Sequence, residues 1–255
     1  GHGAIHVRGN SSREYEKKQY ALETRDADGN DLDVSLMGLP EEEDWILQGP
    51  YSDKTLMRNH LMFHWSRAIE RYAPRTRFIE LYMVDDGEPL APLHYRGVYL
   101  LTEKIKRDKH RVNVETLSPD ATSLPEISGG YVLKRDWVEG NVLETEIYGD
   151  ELVIRYPKDD QINEAQRSYL EGYFNDFERA LERNDRSYQE YIDVDSFVDY
   201  MLMMEISRNV DAYVLSTHMY KPRGGLLHMG PIWDFNGSLG NADYFESREI
   251  EGWHY

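Results

Sequence analysis

Two carboxylates near the end of the chain stand where a core strand would take Val or Ile: Asp211 in SRNVDAY and Asp234 in GPIWDFNGSLGN. Asp211 lies between Val210 and Ala212 at the exit of an apolar helical pattern, where the helix dipole favours a cation over an anion. Asp234 lies between Trp233 and Phe235, and Asn236 follows two residues on. Acids so placed either form turns or hold a cation. Mg2+ takes hard oxygen ligands, usually one or two carboxylates with substrate phosphates and waters, and Asn236 offers a neutral oxygen beside them. Upstream, Arg8, Gly9, Asn10, Ser11 and Ser12 follow the first strand pattern. A glycine flanked by such residues can present backbone and side-chain donors to an anion, or simply make a hairpin turn. Lys17 and Lys18 come next. By alternation Lys18 shares a face with Tyr20 and Leu22, so one lysine of the pair can point inward as a phosphate partner; a solvated strand end is the other reading. Phosphate-cradling donors, a lysine, metal-holding carboxylates and an acid to orient a hydroxyl are the parts that phosphoryl transfer requires.

These residues need elements to position them. Alternation predicts strands over 4–8, 19–25, 78–84, 97–103, 129–135 and 151–157, with DADGNDLD as a solvated loop. A helix is expected from about Ser52 or Asp53, with Met57, Leu61, Trp65 and Ala68 on its buried face. From about residue 160 the pattern turns helical. Leu170, Tyr173, Phe174, Phe177 and Leu181 form one apolar stripe, and Phe197, Tyr200, Met201 and Met204 a second. HMYKP and LLHMGPIWDF then read as two short strands able to pair. The fold class expected is α+β in two lobes, strand-rich over about 1–103 and helix-rich over about 104–255, with a cleft between them.

Composition narrows the classes. The chain has 255 residues, is 40% hydrophobic and 12% aromatic, and is long enough to bury a core. Its net charge of −18 disfavours nucleic acid and anionic membranes as partners, so an anionic ligand needs a local basic pocket or bridging metal. No cysteine is present, which removes disulfides and thiolate chemistry. No apolar run approaches membrane-spanning length, so membrane insertion is not expected. The ends, GHGAIHVRGN and GWHY, suggest an excised domain. His60 and His64 have a zinc-chelating spacing, but the run is HLMFH, without the metalloprotease Glu and without a clear third ligand. Ser216, Thr217 and His218 lack recognisable oxyanion elements.

VRGNSSREYEKKQYALE, WILQGPYSDKTLMRNHLMF, YRGVYLLTEKIK, GGYVLKRD, RNVDAY and GPIWDFN occur here in the order of the CotH kinase family, which this chain resembles over nearly its whole length. The resemblance implies an atypical kinase-like fold, with ATP and Mg2+ or Mn2+ as cofactors and a Ser/Thr hydroxyl of a protein as acceptor. It makes Asp211 the catalytic, hydroxyl-orienting acid and Asp234 the metal ligand, with Asn236 beside it. Lys18, or Lys17, becomes the ATP-phosphate lysine behind the Arg8–Ser12 turn, and Leu101, Thr102 and Glu103 part of an adenine-contacting linker. The helix around Arg58 takes the place of a kinase regulatory helix, without a Glu partner for the lysine. Many members carry WDFD where this chain has WDFN. A nucleotide-binding pseudokinase, an adhesive surface module, or a kinase acting on a glycan or small molecule are the alternatives. The family's settings lean toward a bacterial cell envelope.

Overall fold

The computed structural model describes residues 1–249 and 251–254. The protein is α+β, with two five-stranded antiparallel sheets and, among the described residues, three α-helices. The chain divides into two compact units: residues 1–64 with 74–104, and residues 65–73 with 105–254 as far as described.

The first unit holds β1 (His2–Arg8), β2 (Gln19–Arg25), β3 (Asp44–Gln48), β4 (Thr76–Tyr82) and β5 (Tyr95–Glu103), in the order β1-β2-β3-β5-β4. Alternate residues of three adjacent strands make its core. Tyr20 and Leu22, Trp45 and Leu47, and Tyr99 and Leu101 pack together with Leu39, as period-two side-chain alternation demands. Strand β3 is one that the alternation reading did not mark. Its Trp45 is fully buried and donates its indole N–H to the Glu42 carbonyl at 2.9 Å.

Helix α1 (Arg58–Ala68) starts later than the sequence pattern suggests and presents a different face. Met57 and Trp65 are exposed, whereas Asn59, Met62, Phe63 and Ser66 are buried. The true stripe carries an Asn and a Ser, so hydrophobicity alone selected the wrong one. Asn59 is held by the Gln48 side chain at 3.1 Å. Asp53 still serves the helix start from five residues ahead. Its buried carboxylate accepts the Arg58 N–H at 2.9 Å and the Thr55 N–H at 3.0 Å, supplying acceptors that a helix N-terminus lacks.

The second unit holds β6 (Tyr131–Arg135), β7 (Val142–Glu144), β8 (Glu151–Tyr156), β9 (Thr217–Lys221) and β10 (His228–Met229), in the order β10-β9-β6-β8-β7. The expected pairing of the last two strands is present, with Met219 opposite Met229. Helix α2 (Glu164–Glu182) begins with a capping box, in which Asn163 accepts the Gln166 N–H and Gln166 accepts the Asn163 N–H, a device that contributes about 1 kcal/mol. It lays Leu170 and Phe174 on Tyr131, Leu133, Leu143 and Leu152. Leu181, expected in that stripe, is 39% exposed while Ala180 is buried, so the apolar face ends before the last turn. Helix α3 (Val194–Ser207) is capped by Asp193, whose carboxylate accepts the Ser196 N–H at 2.8 Å. Its Tyr200, Met203 and Met204 are buried.

Lys221 at the end of β9 is 2% exposed. Its ammonium donates to the carbonyls of Ser128 and Gly225 at 2.7 and 2.8 Å and lies 4.4 Å from the Tyr173 ring centroid. Burial pushes its pKa down from 10.5 to about 8. Between those values the unfolded chain binds the extra proton, so stability rises with pH across this window. Tyr131, Tyr173 and Tyr200 act oppositely at higher pH. Burial raises all three above 10.0, so the unfolded chain ionises first and stability falls. Thermal denaturation followed from pH 7 to 11 is expected to show a rising limb above pH 8. Lys221→Met removes that limb and leaves the fall.

Candidate active site

Helix α3 ends without a glycine. Arg208 takes the left-handed conformation that terminates it, at φ +45°, a region that costs a non-glycine residue about 1 kcal/mol or more. Its guanidinium is anchored to the carbonyls of Glu246, Glu251 and Gly252. The turn that follows delivers Asp211, while buried Val210 and Ala212 fix it from either side.

Asn209 governs this turn. It is 2% exposed, its side-chain oxygen accepts the Asp211 N–H at 3.1 Å, and its amide nitrogen donates to the Asp234 carbonyl at 3.1 Å. One buried amide therefore fixes both acids. Asp234 itself sits at φ +60°, a conformation that Asp and Asn tolerate better than most residues. Asn236 donates its side-chain N–H to Asp234 Oδ1 at 2.9 Å, and Asn241 in turn donates to the Asn236 carbonyl at 2.7 Å. As folded, Asn236 orients Asp234. Gly237 is required here because a Cβ would come within 2.8 Å of Val210 Cγ2, so the two acid-bearing segments pack at a distance that only glycine permits.

Electrostatics join the acids. The Asp211 carboxyl is pushed up to about 6, first by burial, then by repulsion from Asp234 and then from Asp136. Among the described residues no hydrogen bond or ion pair reaches the Asp211 carboxylate; only its backbone is bonded. A half-buried carboxylate facing two others without a donor is a site that a cation would relieve. The donor set, hard oxygens throughout, fits Mg2+ or Mn2+. Sequence reasoning missed Asn209, Asp136 and Gly237. The Asn-x-Asp spacing of Asn209 and Asp211, a pattern that forms turns, was the available signal for the first.

The structure assigns the remaining candidates to the first unit. Gly9 adopts φ +105°, and a Cβ there would collide with Ser12 Oγ at 1.9 Å. The chain then makes a short 3-10 turn over Ser11–Glu14, closed by the Arg13 N–H on the Asn10 carbonyl at 3.1 Å. Strand β2 begins only at Gln19, so its alternation does not extend to Lys18. The Lys18 ammonium binds the Arg13 carbonyl at 2.6 Å, in an exposed position. Lys17 is the one that turns onto the sheet, donating to the Val98 carbonyl and lying 4.7 Å from the Tyr99 ring centroid. Burial and then Lys54 lower its pKa. Leu101, Thr102 and Glu103 are buried in β5, which pairs with β3 on one side and β4 on the other. Glu103 receives Arg75 at 2.8 Å. Arg58 pairs with Asp53. His60 bonds Thr76 Oγ1 at 2.7 Å while His64 is exposed. Among the described residues, the group of three carboxylates whose oxygens all lie within 4.8 Å of one another is Asp33, Glu42 and Glu43; Asp136, Asp211 and Asp234 do not form such a group.

The sequence model of the family described as CotH kinase protein matches residues 5–254, so this chain belongs to the CotH kinase family. No curated protein matches it. Family membership carries a kinase-like function, with use of ATP and a divalent metal as its expected accompaniment. No helix among the described residues is long and apolar enough to cross a membrane.

Proposed function

We propose that this chain transfers the γ-phosphoryl group of ATP to a Ser or Thr hydroxyl of a protein, with Mg2+ at Asp234. The observation that carries this reading is the unpartnered Asp211 carboxylate, fixed with Asp234 by one buried amide. Asp211 accepts the proton of the acceptor hydroxyl as its oxygen attacks the γ-phosphorus, and ADP leaves with the electron pair of the broken P–O bond. A carboxylate whose proton affinity is raised by burial and by its neighbours is a better acceptor for that proton than an ordinary aspartate, and it is still mostly ionised at pH 7. The metal, when bound, neutralises charge on the β- and γ-phosphates. Asn236 supports Asp234 by donating to it, and a direct oxygen contact to metal is a second role proposed for it. In the first unit, the Arg8–Ser12 turn with Lys17 or Lys18 is proposed to hold phosphate, and the Leu101–Glu103 end of β5 to border adenine. The architecture that would unite these parts is a two-lobed kinase-like fold, and a bacterial cell-envelope setting is proposed with it.

The deciding experiment pairs thermal-shift titration with ATP, with and without Mg2+, and transfer of labelled γ-phosphate to a mixture of Ser/Thr-containing proteins. A shift that needs Mg2+, together with label on hydroxyl side chains, is expected. A shift without transfer identifies a pseudokinase, and no shift at all identifies an adhesive module. Label found only on glycans or small molecules moves the acceptor class.

A further inference from the structure

Between α3 and β9 three residues that lack glycine's freedom take left-handed backbone: Arg208, Tyr213 and Ser216, at φ +45°, +67° and +53°. A bulky aromatic residue rarely adopts this region, and it stays there only where its surroundings over-determine it. Tyr213 has three such holds. Its hydroxyl donates to Glu205 Oε1 on α3 at 2.7 Å. Its carbonyl accepts an N–H of Arg135, at the end of β6, at 3.2 Å. Its ring meets the buried Tyr200 ring edge-on, with centroids 6.4 Å apart. Each partner is itself fastened. Arg135 pairs with Asp150 at 3.0 Å, and Tyr200 donates its hydroxyl to Thr217 Oγ1, at the start of β9, at 3.0 Å. The second oxygen of Glu205, Oε2, accepts the His254 N–H at 2.6 Å.

Tyr213 stands two residues after Asp211, and the backbone around it closes on Asp211 itself. The Asp211 carbonyl accepts the Val214 N–H at 3.2 Å and the Leu215 N–H at 2.9 Å. Whatever fixes Tyr213 therefore fixes the turn that carries the Asp211 carboxylate. Resting on the phosphotransfer reading above, we propose that Tyr213 is a positioning residue of the reaction, its hydroxyl latched to Glu205 so that Asp211 faces the acceptor hydroxyl. Of the three holds, the latch is the one that demands tyrosine. Ring packing is served equally by phenylalanine, and Arg135 binds a carbonyl that any residue offers. A hydroxyl bonded to a carboxylate is also roughly twice as strong as a bond between neutral groups. Glu205 lies one turn of α3 before Arg208, which holds the carbonyls of Glu251 and Gly252. The helix end, the acid-bearing turn and the 251–254 segment thus share one fixed point. Asn209 sets the turn from its start, and Tyr213 sets it from its far side.

Tyr213→Phe keeps the ring and removes the hydroxyl. Amide hydrogen exchange of the full chain reads the latch without substrate. Exchange at Leu215 is expected to quicken about tenfold or more, the equivalent of one lost hydrogen bond to a charged group, while the β9 amides keep their protection and report an intact fold. In γ-phosphate transfer, kcat is expected to fall about ten- to a hundredfold, the cost of displacing a reacting group by up to about 1 Å, with KM for ATP and for the acceptor unchanged. Because that loss runs through Asp211, Tyr213→Phe is expected to cost nothing further in the Asp211→Asn background. A loss that multiplies equally in both backgrounds overturns the positioning role, and so does an unchanged kcat. Unchanged exchange at Leu215 overturns the latch whatever the activity. No transfer by the unaltered chain, with Leu215 still quickened in the variant, overturns the phosphotransfer reading and leaves Tyr213 a support of the turn alone.

Discussion

Replacing Asp234 by Asn is expected to abolish the proposed phosphoryl transfer while the protein stays folded, and replacing Asp211 by Asn is expected to cost about a hundred- to ten-thousandfold, the usual range for a lost general base. Asn is the informative substitute at position 234. The backbone there is at φ +60°, which Asn tolerates and Ala does not, so Asp234→Asn removes charge without adding strain. The two variants separate by their metal dependence. Asp234→Asn loses its response to Mg2+ below the millimolar range, because the amide is a far weaker ligand for a hard cation than a carboxylate. Asp211→Asn keeps nucleotide and metal binding, since its loss lies in proton transfer and hydroxyl orientation. Its thermal stability is expected to hold or rise, because a repulsive, half-buried charge without a partner has been neutralised. Full label transfer by either variant, measured at saturating ATP and Mg2+, would remove both acids from the mechanism.

The strands that were legible in sequence are those in which apolar and polar residues alternate, as at β2, whose Tyr20 and Leu22 pack on the core of the first sheet. Strand β3 was not, because DWILQ is buried along most of its length and shows no period of two. Helix α1 misled for the complementary reason. Its buried face includes Asn59 and Ser66, whose hydrogen bonds to Gln48 and to the Arg71 carbonyl satisfy them inside, while Met57 and Trp65 stay out. A hydrophobicity pattern cannot register polar residues that are paired across the fold. Lys18 shows the same limit at a strand end, since alternation extrapolates only while the strand continues, and β2 starts one residue later.

For the site, single residues of unusual setting were legible and their supports were not. Asp211 and Asp234 stand out because an acid between apolar neighbours demands a reason. Asp136 does not stand out, since it follows Lys134 and Arg135 in an ordinary charged strand end. Its repulsion of Asp211 arises from the pairing of β6 with β9, a contact between residues far apart in the chain. Gly237 likewise looks like a loop glycine until Val210 is brought against it. What a sequence carries locally is the chemistry of the reacting groups, whereas the geometry that activates them is non-local.

Asn209 concentrates that geometry in one side chain, and Asn209→Ala is expected to cost activity out of proportion to stability. The substitution deletes two buried hydrogen bonds, to the Asp211 N–H and the Asp234 carbonyl, and leaves the latter without its amide donor. The cost in stability is about 1–3 kcal/mol, a modest fall in melting temperature. Activity suffers more, because both acids lose their common reference point, and a displacement of about 1 Å at a reacting group costs about a hundredfold. Asn209 touches neither substrate nor metal in this account and acts as a positioning residue. Its signature is a fall in kcat with a raised Mg2+ requirement and an unchanged KM for the acceptor. Asn209→Ser refines the test. Serine at this position can still accept the Asp211 N–H as a short turn former, but it is too short to span to Asp234. The serine variant should therefore recover most of the melting temperature and little of the kcat, since the link from residue 209 to the Asp234 carbonyl remains broken. Recovery of both in parallel would show that Asn209 stabilises the turn and nothing more, and would return the alignment of the two acids to the backbone alone.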